Sequence, residues 1–168
     1  VLAELTQAEP DNPALLYNLG LARFYQDKHR EAQASFDRAL ALGLKTRDNL
    51  AYLTRSLHHL GKIRDAIGFC EQWLAQAPGE EAKAYLALLE MDEGNMARAH
   101  QLAEDVLARD PENLHASTVA GSYSVEQQDM EAAEKHFGRI VERQPQNGRG
   151  WLGLGLVRLY QQKHAESI

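Results

Sequence analysis

The sequence predicts an all-α protein, a solenoid of stacked antiparallel helix pairs. Three observations lead there. No segment alternates apolar and polar residues as a half-buried strand does. Apolar residues recur instead at helical spacing, in segments separated by short polar turns. These segments return at a regular interval: Pro78 to Pro111 is 33 residues and Pro111 to Pro145 is 34. One helix pair of that length cannot bury its apolar face alone, so neighbouring pairs must stack on it.

The elements follow in order. Residues 1–8 read as a short helix stopped before Pro10, because a residue preceding proline resists the helical region. Residues 13–26 form the next helix, with Pro13 in the first turn, where its missing N–H is not needed. Residues 27–29 turn the chain into a helix over 30–42, and Gly43 is placed to cap it. Asp48 is positioned to cap a helix over 48–60; Gly61-Lys62 then lead to a helix over 64–76. Helices over 81–93 and 97–109 flank Gly94-Asn95, and helices over 114–127 and 131–143 flank Gln128-Asp129. The last full helix covers 148–161, with the start of a partner helix after it. The organisation is a single array: 1–10 closes a preceding repeat, 13–45, 47–78, 80–111 and 114–145 are full repeats, and 148–168 is a truncated fifth.

Composition narrows the function classes. The formal charge is −6 with no run of Lys or Arg, which speaks against a nucleic-acid or anionic-membrane binder. No stretch of about 18 apolar residues suggests a membrane span. The single cysteine, Cys70, excludes an internal disulfide framework but leaves cytoplasm and periplasm both open. The N-terminus has neither a starting Met nor a basic leader, so the chain reads as a piece of a longer protein.

Leu16, Leu19-Gly20, Ala32, Phe36 and Ala39 in the first repeat, Gly121, Ala133, Phe137 and Pro145 in the fourth, and Trp151 with Leu154-Gly155 in the last carry a resemblance to the tetratricopeptide repeat. The resemblance covers essentially the whole chain and implies a right-handed superhelix whose first helices line a concave, peptide-binding groove. Small residues such as Gly20 and Ala32 let two helices cross closely, where a larger side chain overpacks the crossing. There are departures. Thr54 and Ala87 stand at the glycine position, Cys70 and Ala103 at the aromatic one, and Trp73, Val106 and Ile140 where the family prefers a small residue.

Nothing in the sequence assembles a catalytic centre. The adjacent His58 and His59 point about 100° apart on a helix, and His115, His136 and His164 fall in separate repeats without ligand spacing. Cys70, between Phe69 and Trp73 on an apolar face, suits a small buried hydrophobe better than a nucleophile. Gly153 and Gly155 follow no strand, so they read as helix-packing residues rather than a nucleotide loop. No enzyme activity, cofactor or metal is expected.

The informative surface is the outer face of each first helix. There the expected partner-binding residues are Tyr17, Asn18, Leu21 and Tyr25, then Tyr52, Arg55, His58 and His59, then Tyr85 and Leu88. Tyr17 and Leu21 occupy positions where the family's carboxylate clamp has its first Lys and Asn, so that clamp is rejected. The groove reads as apolar and aromatic with Arg55 as its most prominent cation, and Tyr and Arg commonly dominate interface energetics. The expected function is a non-catalytic scaffold that binds a peptide or helix of a protein partner. The alternative is the substrate-recruiting arm of a larger enzyme, such as a transferase, with its catalytic domain elsewhere. Trp151, Leu152, Leu154, Leu156, Val157, Leu159 and Tyr160 lack a partner helix, so self-association through the C-terminal helix is expected as well.

Overall fold

The computed structural model describes residues 8–165, which form nine helices and no strand. They are α1 (Pro13–Phe24), α2 (His29–Ala41), α3 (Arg47–His59), α4 (Ile63–Gln76), α5 (Glu80–Glu93), α6 (Met96–Leu107), α7 (Leu114–Glu126), α8 (Met130–Arg143) and α9 (Gly148–Ala165). The helix expected over 1–8 lies outside the described residues, Ala8 excepted. The chain divides into two compact units, Val1–Ala82 and Lys83–Ile168, with the boundary inside α5.

In the first unit, Asn12 Oδ1 accepts the amides of Ala14 and Leu15 and Pro13 follows as the first helical residue, so α1 starts on a satisfied cap. Gly20 lies against the Phe36 ring of α2: a Cβ there would sit 2.5 Å from Phe36 Cε1. Leu16, Ala32, Phe36 and Ala39 are buried, and the core continues through Leu50, Leu53 and Leu57 of α3 to Ala66, Cys70 and Trp73 of α4. Asn49, fully buried, donates from Nδ2 to the carbonyls of Phe36 and Leu44 and ties α3 to the end of α2.

The second unit repeats the arrangement. Phe137 packs with Ala133, Ile140 and Val157, and Leu114, Val125, Met130 and Leu154 border them. Gly121 of α7 and Gly153 of α9 both face the Phe137 ring, and Gly150 faces Ile140 and Val141. Glu90 is buried near the end of α5, where Arg98 Nη1 approaches its Oε1 to 2.9 Å and Asn95 Nδ2 donates to its Oε2 at 2.8 Å. Glu90 is thus a buried carboxylate served from the surface, since the Arg98 side chain is 54% exposed, and the contact joins α5 to α6.

The departures at the small and aromatic positions come in pairs. The residue at the small position is followed sixteen positions later by the residue at the aromatic position. The pairs are Gly20 with Phe36, Thr54 with Cys70, Ala87 with Ala103, and Gly121 with Phe137, all eight of them buried. Where the aromatic gives way to Cys70 or Ala103, the glycine is replaced by Thr54 or Ala87, which restores part of the lost side-chain volume. The Thr54 hydroxyl donates to the Leu50 carbonyl at 2.8 Å and needs no other partner.

Every turn within a repeat carries one residue at positive φ: Asp27 (59°), Gly61 (71°), Gly94 (94°) and Gln128 (61°). Gly43, at 93°, closes α2 with Leu44 N–H donating to the Ala39 carbonyl, the C-terminal geometry expected of it. Two expectations are corrected. Thr46 caps α3, its Oγ1 accepting from Asn49 N, because it precedes the first helical residue in extended conformation; Asp48 is the second residue of the helix, in its first turn. Helix α9 does not stop at 161 but runs on to Ala165, since no Gly, Pro or cap residue interrupts it; the rest of the expected partner helix lies outside the described residues.

Candidate functional site

Eight of the ten expected groove residues lie in the first unit, on α1, at its C-cap Tyr25, and on α3. The α1–α2–α3 packing gathers their rings into one cluster. Tyr17 meets Tyr52 at 6.4 Å between centroids and 69°, and Tyr25 meets Tyr52 at 6.2 Å and 69°. Phe24 stands edge-on to Tyr52 at 5.4 Å. The Tyr25 and Tyr52 hydroxyls share a hydrogen bond of 2.7 Å. That bond, then burial, pushes the Tyr52 hydroxyl up to about 12, and burial followed by the Asp48 carboxylate raises Tyr17. Both hydroxyls therefore remain protonated near neutrality. Tyr25 is 71% exposed, so the cluster is open to solvent at this ring. Asn18 is exposed and Leu21 half-buried beside these rings.

Arg55 differs from its expected role as the groove's presented cation. Its guanidinium lies over the rings of Tyr52 (5.4 Å) and Trp73 (5.6 Å), and its Nη2 meets Glu81 Oε1 at 2.7 Å. Arg47 takes the other oxygen of Glu81 at 3.1 Å. Arg55 thus orients Tyr52 and is itself held by α4 and α5.

His59 stacks face to face on His29, with centroids 4.1 Å apart and planes 5° from parallel; His58 stands off at 6.4 Å. Burial, then His29 and His58, lowers the pKa of His59. His29 was legible only as a turn residue; the tight α1–α2 connection, which nothing in its spacing announces, brings it to the cluster.

Tyr85 and Leu88 correct the expected lining. They are only 7% and 4% exposed and offer little surface to a ligand, with Tyr85 edge-on to His115 at 5.4 Å. Residues 84–90 of α5 are buried all round, so the helix has no outer face of the kind α1 has.

In the second unit, α9 exposes Trp151, Leu152, Leu156, Leu159 and Tyr160, whereas Val157 is buried and Leu154 half-buried against the Phe137 cluster, so these two do not belong to the bare face. A cleft of about 190 Å³ opens beside Leu152 and Leu156, floored by Phe137 and Gly153 and walled by Met91. Arg149 at its rim pairs with Asp92 at 2.9 Å. Gly153 packs as expected, whereas a Cβ on Gly155 would meet nothing within 4 Å. Among the described residues no three His, Cys, Asp or Glu side chains gather as metal ligands. Cys70 is fully buried, and burial first, then Glu71, pushes its thiol up to about 12. No helix among the described residues is long and apolar enough to cross a membrane.

Two family models described as tetratricopeptide repeat match residues 17–81 and 90–157. No curated protein sequence matches the chain. Solved structures with the same fold include YrrB, described as a tetratricopeptide-repeat protein with an unusual peptide-binding site. It is 18% identical, with a TM-score of 0.74 over 92% of this chain and 80% of YrrB. A tetratricopeptide-repeat protein from Parabacteroides merdae is 23% identical, with a TM-score of 0.77 over 98% of this chain and 66% of its own. MamA from Desulfovibrio magneticus is 22% identical, with a TM-score of 0.73 over 88% and 84%. The periodic helix pairs, the small-against-aromatic crossings and both family matches converge on one conclusion: the chain belongs to the tetratricopeptide-repeat family and has its all-α helical-repeat fold.

Proposed function

We propose that this protein-interaction scaffold works without catalysis and holds a peptide or helix of its partner on the aromatic face of α1 and α3. The observation that carries the reading is the Tyr17–Tyr52–Tyr25 row, half-buried at its base and open at Tyr25. Rigid rings with a polar tip lose little conformational freedom on binding and are frequent interface anchors. Absence of catalysis is supported by a thiol held protonated in the core and by the lack of a base–nucleophile pair in the sequence.

Selection of a random peptide library on the purified chain tests the reading. Selected peptides should bind, and Tyr25→Ala or Tyr52→Ala should cost on the order of 1–3 kcal/mol. Binders indifferent to both substitutions would refute the assignment of this face. A second reading rests on the exposed α9 face: two copies pair through Leu152, Leu156 and Leu159. Sedimentation should then show a concentration-dependent dimer that Leu156→Glu shifts to monomer; a strict monomer at high concentration would dismiss it.

A further inference from the structure

We propose that the open side of α9 docks an amphipathic helix of a partner protein, one that carries a carboxylate, a small residue and an aromatic ring in the order Glu-Ala-x-x-x-Phe. The site is separate from the aromatic face of α1 and α3. Its centre is Gly155, which lies 34 residues after Gly121 and holds the position in α9 that Gly121 holds in α7 and Gly20 in α1. A Cβ on Gly20 would sit 2.5 Å from the Phe36 ring of α2, and one on Gly121 would sit 2.9 Å from the Phe137 ring of α8. A Cβ on Gly155 would meet nothing within 4 Å. Gly155 is thus an open notch of the kind that a ring fills twice elsewhere in the chain.

The residues on either side of the notch make the same comparison. Four residues before each glycine stand Leu16 in α1, Ser117 in α7 and Trp151 in α9. Leu16 and Ser117 are buried, at 6% and 0% exposure, but Trp151 is 51% exposed. Three residues after Gly20, Arg23 pairs with Glu31 of α2 at 3.4 Å and donates to Ser35 Oγ at 2.7 Å. Three residues after Gly155 stands Arg158, whose guanidinium has no ion-pair partner among the described residues. Beside it a cleft of about 670 Å³ opens between α8 and α9, with Leu154 and Arg158 on one wall and Gly138 on the other. A Cβ on Gly138 also meets nothing within 4 Å, so the backbone of a docked helix can come close to α8.

The pairs inside the chain define what fits. Helix α2 meets α1 with Glu31 on Arg23, Ala32 buried and Phe36 on Gly20; α8 brings Ala133 and Phe137 to α7 at the same spacing. A helix with this pattern sets its carboxylate at Arg158 and its ring at Gly155. The occupant comes from another molecule. Helix α1 ends at Phe24 and the turn at Asp27 brings α2 back over Gly20. Helix α9 instead runs to Ala165, six residues past the equivalent Leu159, which carries its own chain about 9 Å further along the axis and beyond the notch. A second copy has no such helix to spare, because Phe36 and Phe137 are already buried at 0% and 3% exposure. The row Trp151, Gly155 and Arg158 also lies one residue, about 100°, round α9 from Leu152, Leu156 and Leu159, so it is not the face through which two copies would pair.

A fluorescein-labelled peptide copying residues 28–42, which contain Glu31, Ala32 and Phe36, is the probe, titrated into the purified chain with anisotropy as the readout. It should bind saturably. Phe36→Ala in the peptide and Gly155→Leu in the protein should each weaken binding about 10-fold or more. Gly155→Leu has room for its Cβ, and circular dichroism checks that the variant is folded. Arg158→Glu should weaken the parent peptide several-fold and bind the Glu31→Lys peptide better than it binds the parent. Tyr25→Ala and Leu156→Glu should leave binding unchanged, which keeps the outcome independent of the α1–α3 face and of pairing between copies. A peptide that does not bind overturns the proposal. So does binding that survives Gly155→Leu, as exchange of the peptide with α2 would give. If Gly155→Leu does not fold, the charge exchange between Arg158→Glu and Glu31→Lys decides, and its failure overturns the proposal equally.

Discussion

Gly153 offers the sharpest test of how the second unit is packed. Replacing it with alanine places a Cβ 2.3 Å from Phe137 Cδ1 and 2.4 Å from Cγ. Those atoms are the base of the ring, which swings far less than its tip. Ordinary contact begins near 3.4 Å, so the ring must retreat by about 1 Å. Its other end has little room, because the ring tip already lies so near Gly121 that a Cβ built there would be 2.9 Å from Phe137 Cζ, which leaves only the glycine backbone to face it. Overpacking of this sort costs about 2–3 kcal/mol, against which alanine's better helix propensity returns about 1 kcal/mol. The net expectation is a loss of about 1–2 kcal/mol.

Gly155→Ala is the internal control. It lies in the same helix two residues on, exposed and with nothing within 4 Å of its Cβ, so only the propensity gain applies. It should raise stability by up to about 1 kcal/mol. The variants should therefore differ by about 2–3 kcal/mol, which for a chain of this length separates their melting midpoints by about 4–12 °C. Urea and thermal unfolding followed by circular dichroism measure the difference. Phe137→Leu should recover part of the loss in the Gly153→Ala background, as two residues sharing one space do. If Gly153→Ala is as stable as Gly155→Ala, α9 does not pack on Phe137 as described.

Three further expectations follow from local geometry. Asp27 and Gln128 hold φ of 59° and 61° where the equivalent turns use Gly61 and Gly94, so Asp27→Gly and Gln128→Gly should stabilise by about 1 kcal/mol and Gly61→Ala should destabilise by a similar amount in denaturant titrations. Lys28, at the N-cap of α2, makes no side-chain cap bond, whereas Asp129 at the same place in α8 accepts from Ala132 N; Lys28→Ser should add about 1 kcal/mol. Titration effects have opposite signs at the two ends of the pH scale. The raised Cys70 thiol keeps its proton when the unfolded thiol loses one, so its contribution to stability is intact below about 9 and is lost as pH rises towards about 12. Thiol reagents at pH 8 should label it only as fast as the chain unfolds. His136 has a pKa lowered by burial, then by Arg139, so its contribution is present above 6.5 and is lost as pH falls below that value. His136→Gln should flatten the acid limb of the stability curve, and an unchanged limb would count against the burial.

How much was legible without coordinates depended on the range of the interaction. Helix periodicity, Pro13 at a helix start, Gly43 after a helix end and the turns at Gly61 and Gly94 are local, each set by a few consecutive φ/ψ preferences, and they appear where the sequence places them. The repeat period carries the fold further, because a helix pair with one apolar face has few ways to bury it. Tertiary structure alone decided what each face meets. That Gly20 faces Phe36, and that Gly121 and Gly153 face the same Phe137 ring, is visible only once helices cross, since the space is shared between residues distant in sequence. The same holds for the surface. Tyr85 and Arg55 had the right residue types and spacing for a groove, yet burial withdrew Tyr85, and Trp73 with Glu81 claimed Arg55. His29 joined the ring cluster from the first position of α2. Local preference specifies which way a backbone runs; only packing specifies which side chains remain for a partner, because exposure is a property of the neighbours and not of the residue.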